Sequence, residues 1–290
     1  MNDHQKGLCI TTLGVLLVVP DALFVRLIAA EPLTIAFWRL ALAGGMLSGG
    51  ILLVQGTKPF RAVLSAGRYG AIYMLGVGSS GVLFVLAVSL TSVANVVFII
   101  ASLPVFAALF SRVFLDEPVS ARMVLTMVAV ITGLAIIARG SGEPANAHWS
   151  GDALALAVSA LFAAALTAAR HVRQVSMVPG AAMSYLAAAL VILPFAAPLS
   201  VASEQAPLVL MHGGFILGSS ALLALGPRYI TSAEVGLLVL LESVLAPLLV
   251  WAVVGENPGP WALAGGSIVV GALFVSNLRA LRHRRIRNRP

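Results

Sequence analysis

Apolar runs recur along the whole chain, at 8–29, 33–54, 69–88, 93–112, 122–139, 151–170, 180–202, 208–226, 233–254 and 260–278. The hydrocarbon core of a bilayer, about 30 Å thick, takes roughly 20 helical residues per crossing, so each run reads as one membrane-spanning helix. The runs are continuous rather than alternating at period two, which argues against a membrane β-barrel. With 290 residues, 60% hydrophobic and 10% charged, the chain has no room for a soluble domain beside ten crossings. Soluble domains carry about 25% charged residues. Cys9 is the only cysteine, so there is no internal disulfide framework and no cysteine-based metal cluster.

Basic residues fall on alternate connections. If the N-terminus is cytoplasmic, Lys6, Lys58, Arg61, Arg68, Arg112, Arg122, Arg170, Arg173, Arg228 and the six arginines from Arg279 to Arg289 face inward. Arg139 alone lies outside, and Arg26 and Arg39 lie within spans, so the positive-inside rule predicts that both termini are cytoplasmic. The net charge of +7 and the basic tail admit nucleic-acid binding, but a juxtamembrane position favours attraction to anionic lipid instead. Trp149, Trp251 and Trp261 fall at predicted outer ends, and Tyr69 and Tyr229 at inner ends, where amphipathic rings sit at headgroup level. Lys6 before an apolar run and Ala29-Ala30 could mark a cleaved signal peptide, but its removal would leave the repeat described next without its first member.

The second half echoes the first. Gly78-Ser79-Ser80-Gly81 recurs as Gly218-Ser219-Ser220-Ala221, and Leu90-Thr91-Ser92 as Ile230-Thr231-Ser232. Leu115-Asp116-Glu117-Pro118 returns as Val254-Gly255-Glu256-Asn257-Pro258, and Gly7 and Arg26 return as Gly151 and Arg170. Five spans per half is an odd number, so the halves lie oppositely in the bilayer, as in many secondary transporters. The expected units are residues 1–139, a linker at 140–150, residues 151–278 and a basic cytoplasmic tail at 279–290.

Pro32 followed by Phe37-Trp38-Arg39, Pro104 leading to Leu115-Asp116-Glu117-Pro118-Val119-Ser120, and Gly133 resemble the EamA-type half of the drug/metabolite transporter superfamily. Leu241-Glu242-Ser243, Glu256 and Gly271 repeat that pattern more loosely, with the family's proline displaced from Ser243 to Pro247. The resemblance implies an all-α, multi-pass protein of a bacterial inner membrane, with ten helices in two inverted five-helix repeats. It also implies a central cavity lined mainly by helices 1, 3, 4, 6, 8 and 9. Within the superfamily the chain looks most like YddG-type exporters of aromatic and other amino acids.

Ser79, Ser80, Ser219 and Ser220 fall near mid-membrane, where transporters of this design bind solute. The competing reading is that small residues permit close helix packing, as for Gly45/Gly49, Gly214/Gly218, Gly76/Ser80 and Ser267/Gly271. Ionisable residues inside a membrane are functional candidates by default. Asp21 follows Pro20 and lies at a depth where it can pair with Arg39, which otherwise could clamp a substrate carboxylate. Arg26 lies close enough to the outer end to snorkel. Glu242, near the midplane, must be protonated, hydrated or paired; it could load a proton, hold an ammonium or serve structure. Glu234 and His212 read as solvated or packed. Pro20, Pro104, Pro194, Pro198 and Pro247 free backbone carbonyls and mark hinges or static kinks. Trp38, Tyr73, Phe98, Phe106 and Phe162 are aromatic candidates for a solute wall, and Phe98 and Phe162 lie on helices that line the family's cavity.

No phosphate-binding loop, metal-binding His-Glu-x-x-His helix or nucleophile elbow occurs. Enzyme activity and a bound cofactor are therefore not expected. Transport must draw on the solute gradient or on an ion such as the proton. The expectation is export of small metabolites, foremost amino acids including aromatic ones, by alternating access. A multidrug exporter is the alternative within transport, and a lipid-handling or structural membrane protein the alternative outside it.

Overall fold

The computed structural model describes residues 3–115, 121–140, 148–172, 174–225, 229 and 232–287, and these are helical with short connections and no strand. The calls on Asp116 to Ser120, on most of the 140–150 linker, on Arg173, Arg228, Ile230 and Thr231, and on the last three tail residues lie outside this set, as do the side chains of Arg122 and Glu234. Among the described residues, eight helices are long and apolar enough to cross a membrane, and Leu238–Val254 and Pro260–Ser276 are shorter apolar helices.

The first span is two helices, α1 (Asp3–Val18) and α2 (Asp21–Leu27), divided at Val19-Pro20. Proline lacks the N–H that would continue the ladder, so the chain restarts at Asp21. After α3 (Pro32–Gln55) comes an unforeseen surface helix, α4 (Lys58–Ser65), which buries Val63 and leaves Lys58 and Arg61 exposed. The third span is α5 (Gly67–Leu90). The fourth is again two helices, α6 (Val93–Ile100) and α7 (Leu103–Leu115), with Pro104 in the first turn of the second, where its missing N–H has no partner to lose. Then follow α8 (Ala121–Gly140), α9 (Trp149–His171), α10 (Val178–Ile192), α11 (Ala206–Leu225), α12 (Ser232–Val254) and α13 (Pro260–Arg287).

One expectation needs correction. The seventh span is shorter than 180–202: Pro194 and Pro198 sit in separate 3-10 turns, because neither can donate to a continuing α-helix. The backbone from 279 to Arg287 continues α13.

The helices pair in a pattern that survives exchange of the halves. α5 packs on α9 as α11 packs on α1, α3 meets α10, α8 meets α13, and α10 meets α5 as α3 meets α11. Direction also inverts. Arg26 in α2 donates to the Thr91 carbonyl just past the end of α5, and Gly151 near the start of α9 approaches Thr91 at the same end of the bundle. The first span therefore runs opposite to α9, its counterpart.

Lipid chains are as apolar as leucine, so helices here associate through close packing rather than hydrophobic burial alone. A Cβ on Gly76 would lie 2.6 Å from the Leu161 carbonyl oxygen and 2.9 Å from the Ala165 Cβ, which lets α5 and α9 touch backbone to backbone. Between α8 and α13 the approach is mutual, with Gly133 and Gly265 each facing the other's carbonyl oxygen at 2.7 and 2.5 Å from a notional Cβ. Gly45, Gly49 and Gly271 have nothing within 4 Å of such an atom, so the packing expected of these small-residue pairs does not occur within this chain. Gly76→Val should therefore destabilise the protein by about 1–3 kcal/mol, the usual penalty for overpacking. Gly45→Val should leave thermal unfolding in detergent almost unchanged, and equal losses for both would contradict the packing scheme.

Candidate functional site

Three buried polar residues meet where the first span breaks. Pro20 ends the α1 segment, and Asp21 begins α2 facing α3 and α11. Its Oδ1 accepts from Arg39 Nε at 2.9 Å and its Oδ2 from Nη2 at 2.6 Å, a bidentate pairing. His212 Nε2 lies 2.7 Å from the same Oδ1. An ionised carboxylate only accepts, so this ring nitrogen carries the hydrogen. Arg39 Nη1 also donates to the Gly81 carbonyl at 3.3 Å, its guanidinium lies 5.4 Å from the Phe84 ring centre, and His212 stacks on Phe24.

Asp21, Arg39 and His212 are 2%, 7% and 1% exposed, so this cluster is closed to solvent and joins α2, α3, α5 and α11. His212 therefore neither meets water nor merely packs. Arg39 gives three of its five N–H groups to Asp21 and the Gly81 carbonyl, so its charge is already matched within the protein.

Glu242 behaves differently. It is half-buried on α12, it forms no hydrogen bond or ion pair among the described residues, and it interacts electrostatically with Asp21 and Arg39. Nearby in the same field, Tyr185 Oη on α10 is 2.9 Å from Ser220 Oγ on α11, and Tyr185 interacts electrostatically with Arg39 and with Tyr73 on α5. Of these groups only Tyr185 and Ser220 are in direct contact, and that contact joins two helices of the second half.

The four serines do not converge. Ser80 and Ser219 are buried and donate to the carbonyls of Val77 and Ile216 in their own helices. Ser79 is exposed on the stripe of Ile72 and Leu75, and only Ser220 reaches across to another helix. One residue of offset in helical phase separates adjacent serines by about 100°, so a pair of neighbours cannot share one direction. Phe98 is buried against Gly266 of α13, and Phe162 packs with Tyr73, Met74 and Met177. Trp38 donates to the Pro198 carbonyl at 3.0 Å, and Phe106 stacks towards Phe110. Pro20 and Pro104 lie at helix breaks, whereas Pro247 is inside an unbroken α12.

A second polar cluster closes the end of the bundle that carries Thr91. Arg26 Nε binds Glu256 Oε2 at 2.7 Å rather than snorkelling, its Nη2 reaches the Thr91 carbonyl at 2.8 Å, and Glu256 Oε1 accepts the Val93 N–H at 2.6 Å. Asp152 Oδ1 accepts from Thr91 Oγ1 at 2.9 Å and from Asn95 Nδ2 at 3.2 Å. These contacts tie α2, the α5–α6 turn, α9 and the α12–α13 connection. The sequence signal was available only in part: Ser92 caps α6 through the Asn95 N–H, a common start of a helix, but nothing local assigns Glu256 to Arg26. Among the described residues no group of three His, Cys, Asp or Glu side chains is placed to hold a metal ion.

A family model described as the EamA-like transporter family matches residues 5–139 and again 149–278. The chain belongs to that family, a multi-pass membrane transporter class built from two such repeats. Fourteen chains of solved structures resemble it. One, titled "Crystal structure of protein", superposes with a TM-score of 0.66 at 17% identity over 96% of this chain and 99% of that one, a likeness of fold. No curated protein matches. Membership fits small-molecule transport rather than enzyme chemistry.

Removing one partner of a buried ion pair strands the other charge, a loss of about 3–5 kcal/mol. Asp21→Asn should lower the unfolding temperature in detergent sharply, whereas the joint change Asp21→Leu with Arg39→Met should restore most of it. For the partly exposed Arg26–Glu256 pair, a double-mutant cycle with Arg26→Met and Glu256→Gln should give a coupling of about 1 kcal/mol. A coupling of zero in thermal unfolding would mean that this contact does not hold the end closed.

Proposed function

We propose that the chain is a secondary exporter of small metabolites, foremost amino acids including aromatic ones, in a bacterial inner membrane. The observation that carries this reading is the pairing of inverted halves around the buried cluster of Asp21, Arg39 and His212, which joins α2, α3 and α5 of the first half to α11 of the second. Transporters built from inverted repeats place solute and coupling ions at the interface of the halves, and Tyr185, Ser220 and Glu242 are the second half's polar candidates for that role. Ten crossings with both termini cytoplasmic belong to this reading, and the eight long spans, the two shorter apolar helices and the distribution of basic residues support it. The units are residues 1–139 and 151–278, joined through 140–150 and followed by a basic segment at 279–290 beside anionic lipid.

In alternating access one end of the pocket is closed while the other opens. Arg26 and Glu256 hold the extracytoplasmic end, and the breaks at Pro20 and at Ala101-Ser102 before Pro104 are the hinges across which half-helices move. Pro247, within a continuous helix, bends rather than divides it. Ser220 and Tyr185 hydrogen-bond solute, Phe98 and Phe162 back the pocket, and the Asp21–Arg39 pair orients it. Ser79, Ser80 and Ser219 shape the helices beside it. The similarity to YddG-type exporters supports the amino-acid assignment, and Glu242 is the group through which a proton gradient couples to flux.

Proteoliposomes loaded with unlabelled phenylalanine should take up labelled phenylalanine faster than empty ones, with saturation. Absence of counterflow for every member of an amino-acid panel would sink the substrate assignment. Efflux of cationic dyes alone would move the protein to the multidrug class, and lipid movement without solute exchange would remove it from solute transport.

A further inference from the structure

We infer that α4 and the start of α5 form a docking surface for anionic phospholipid, with Lys58, Arg61 and Arg68 on the headgroup and Leu64 among the acyl chains. Such a surface is independent of the solute carried. It lies at an edge of the bilayer. Arg26 of α2 reaches Thr91 at one end of the bundle, so α3, which starts at Pro32, runs away from that end, and α5 returns to it at Leu90. Each of these helices has 24 residues, a length of about 36 Å that exceeds the thickness of the hydrocarbon core. α4 therefore sits where both spans leave the hydrocarbon at the opposite face. Gly56 and Gly67, with φ of 68° and 58°, are the left-handed positions that turn the chain out of α3 and into α5.

One face of α4 is fixed to the bundle. Val63 is fully buried, with its carbonyl oxygen 2.5 Å from a notional Cβ on Gly70 of α5 and its Cγ1 3.3 Å from one on Gly180 of α10. Phe60 packs beside Leu47, Ile51 and Ala182. Leu64, one residue past Val63, is 59% exposed. Lys58, Arg61 and Ser65 fall within about 60° of one another on the side away from Val63, and all three are exposed. The helix is thus held by its apolar face and presents a basic edge beside an apolar flank. The charge on that edge is unmatched. The side chains of Lys58 and Arg61 form no hydrogen bond, ion pair or ring contact among the described residues, and between Glu31 and Asp116 the chain has no acidic residue. Arg68, in the first turn of α5, turns to Tyr69, with Nη2 3.0 Å from Oη and the guanidinium 4.9 Å from the ring centre. Tyr69 in turn stacks at 3.9 Å on His171 of α9, which sets an amphipathic ring beside Arg68 at headgroup depth. An acidic protein would match these cations but not the apolar surface next to them, where Leu64 stands with Leu53 and Val54 at the end of α3, 89% and 82% exposed. A phospholipid meets both, with a phosphate for the cations and chains for the apolar flank.

Leu64→Trp in the full chain reports the lipid beside α4 when it is reconstituted into mixtures of phosphatidylcholine and phosphatidylglycerol, one of which carries brominated chains that quench indole fluorescence. The signal of the four native tryptophans is subtracted with the unaltered protein. Brominated phosphatidylglycerol should quench the added tryptophan at mole fractions about tenfold or more below those needed for brominated phosphatidylcholine, since each basic side chain near an anionic surface adds roughly fivefold in affinity. Joint substitution of Lys58→Gln, Arg61→Gln and Arg68→Gln should remove this preference. Joint substitution of Arg282→Gln, Arg284→Gln and Arg285→Gln, an equal loss of charge elsewhere, should leave it in place.

Equal quenching by the two lipids overturns the inference. So does a preference that survives the triple change in α4 and α5, or one that the change at the end of α13 removes to the same extent, which would make it an effect of net charge. Should Leu64→Trp fail to fold, thermal unfolding of the otherwise unaltered chain in a neutral detergent decides. Phosphatidylglycerol should raise the unfolding temperature, phosphatidylcholine and glycerol phosphate should not, and the triple variant should lose the shift. An equal shift with phosphatidylcholine means no selection of the headgroup, an equal shift with glycerol phosphate means a site for soluble anions, and an undiminished shift in the triple variant means lipid bound elsewhere; each overturns the inference.

Discussion

A charge in hydrocarbon needs a counter-charge, and in this chain the Asp21–Arg39 pair meets that need while fixing where three spans cross. Because Asp21 sits at the restart after Pro20, its carboxylate lies at the break rather than along a regular helix face. Arg39 and His212 reach it from α3 and α11, and the Gly81 carbonyl closes the cluster from α5. Most of the interior follows from this constraint. Helices that must satisfy one buried carboxylate cannot slide independently, and the glycine contacts between α5 and α9 and between α8 and α13 set their separations.

The two halves repeat in pairing but not in detail. The first half divides its first and fourth spans, whereas the second half runs α9 and α12 through without interruption. Proline placement explains the difference. Pro20 and Pro104 stand at the breaks, α9 contains no proline, and Pro247 is accommodated inside α12. Both breaks therefore fall in the half that also contributes Asp21 and Arg39, and Asp21 itself stands at the first of them. The Arg26–Glu256 contact lies at the far end of the same broken first span, where it restrains α2 directly.

Apolar run length and the order of repeated motifs were sufficient to read the helical class and the two-repeat design, because these are properties of contiguous residues and of spacing, while the EamA family was legible through resemblance to its motifs. The short helix α4 escaped notice since its eight residues lie between two stronger signals. The possible Asp21–Arg39 pairing was legible from depth alone, as both lie near one end of neighbouring spans. His212 joining them was not, because depth cannot give rotation about a helix axis. The serine pairs misled for the same reason: equal depth placed Ser79, Ser80, Ser219 and Ser220 together, but helical phase sends Ser79 outward and turns Ser80 and Ser219 onto their own backbones.

What the amino-acid order determined by itself is the solvent this protein folds in, the number of apolar segments and the likeness of its halves, since all three depend on residues close together in the chain. The tertiary structure alone decided which acid is neutralised and which is left without a partner. Asp21 and Glu242 are both carboxylates inside apolar helices, and only the packing of α3 and α11 around the first gives it an arginine and a histidine. Electrostatic partnership depends on distances of a few ångströms between segments about 20 to 190 residues apart, and such distances exist only once the helices are packed.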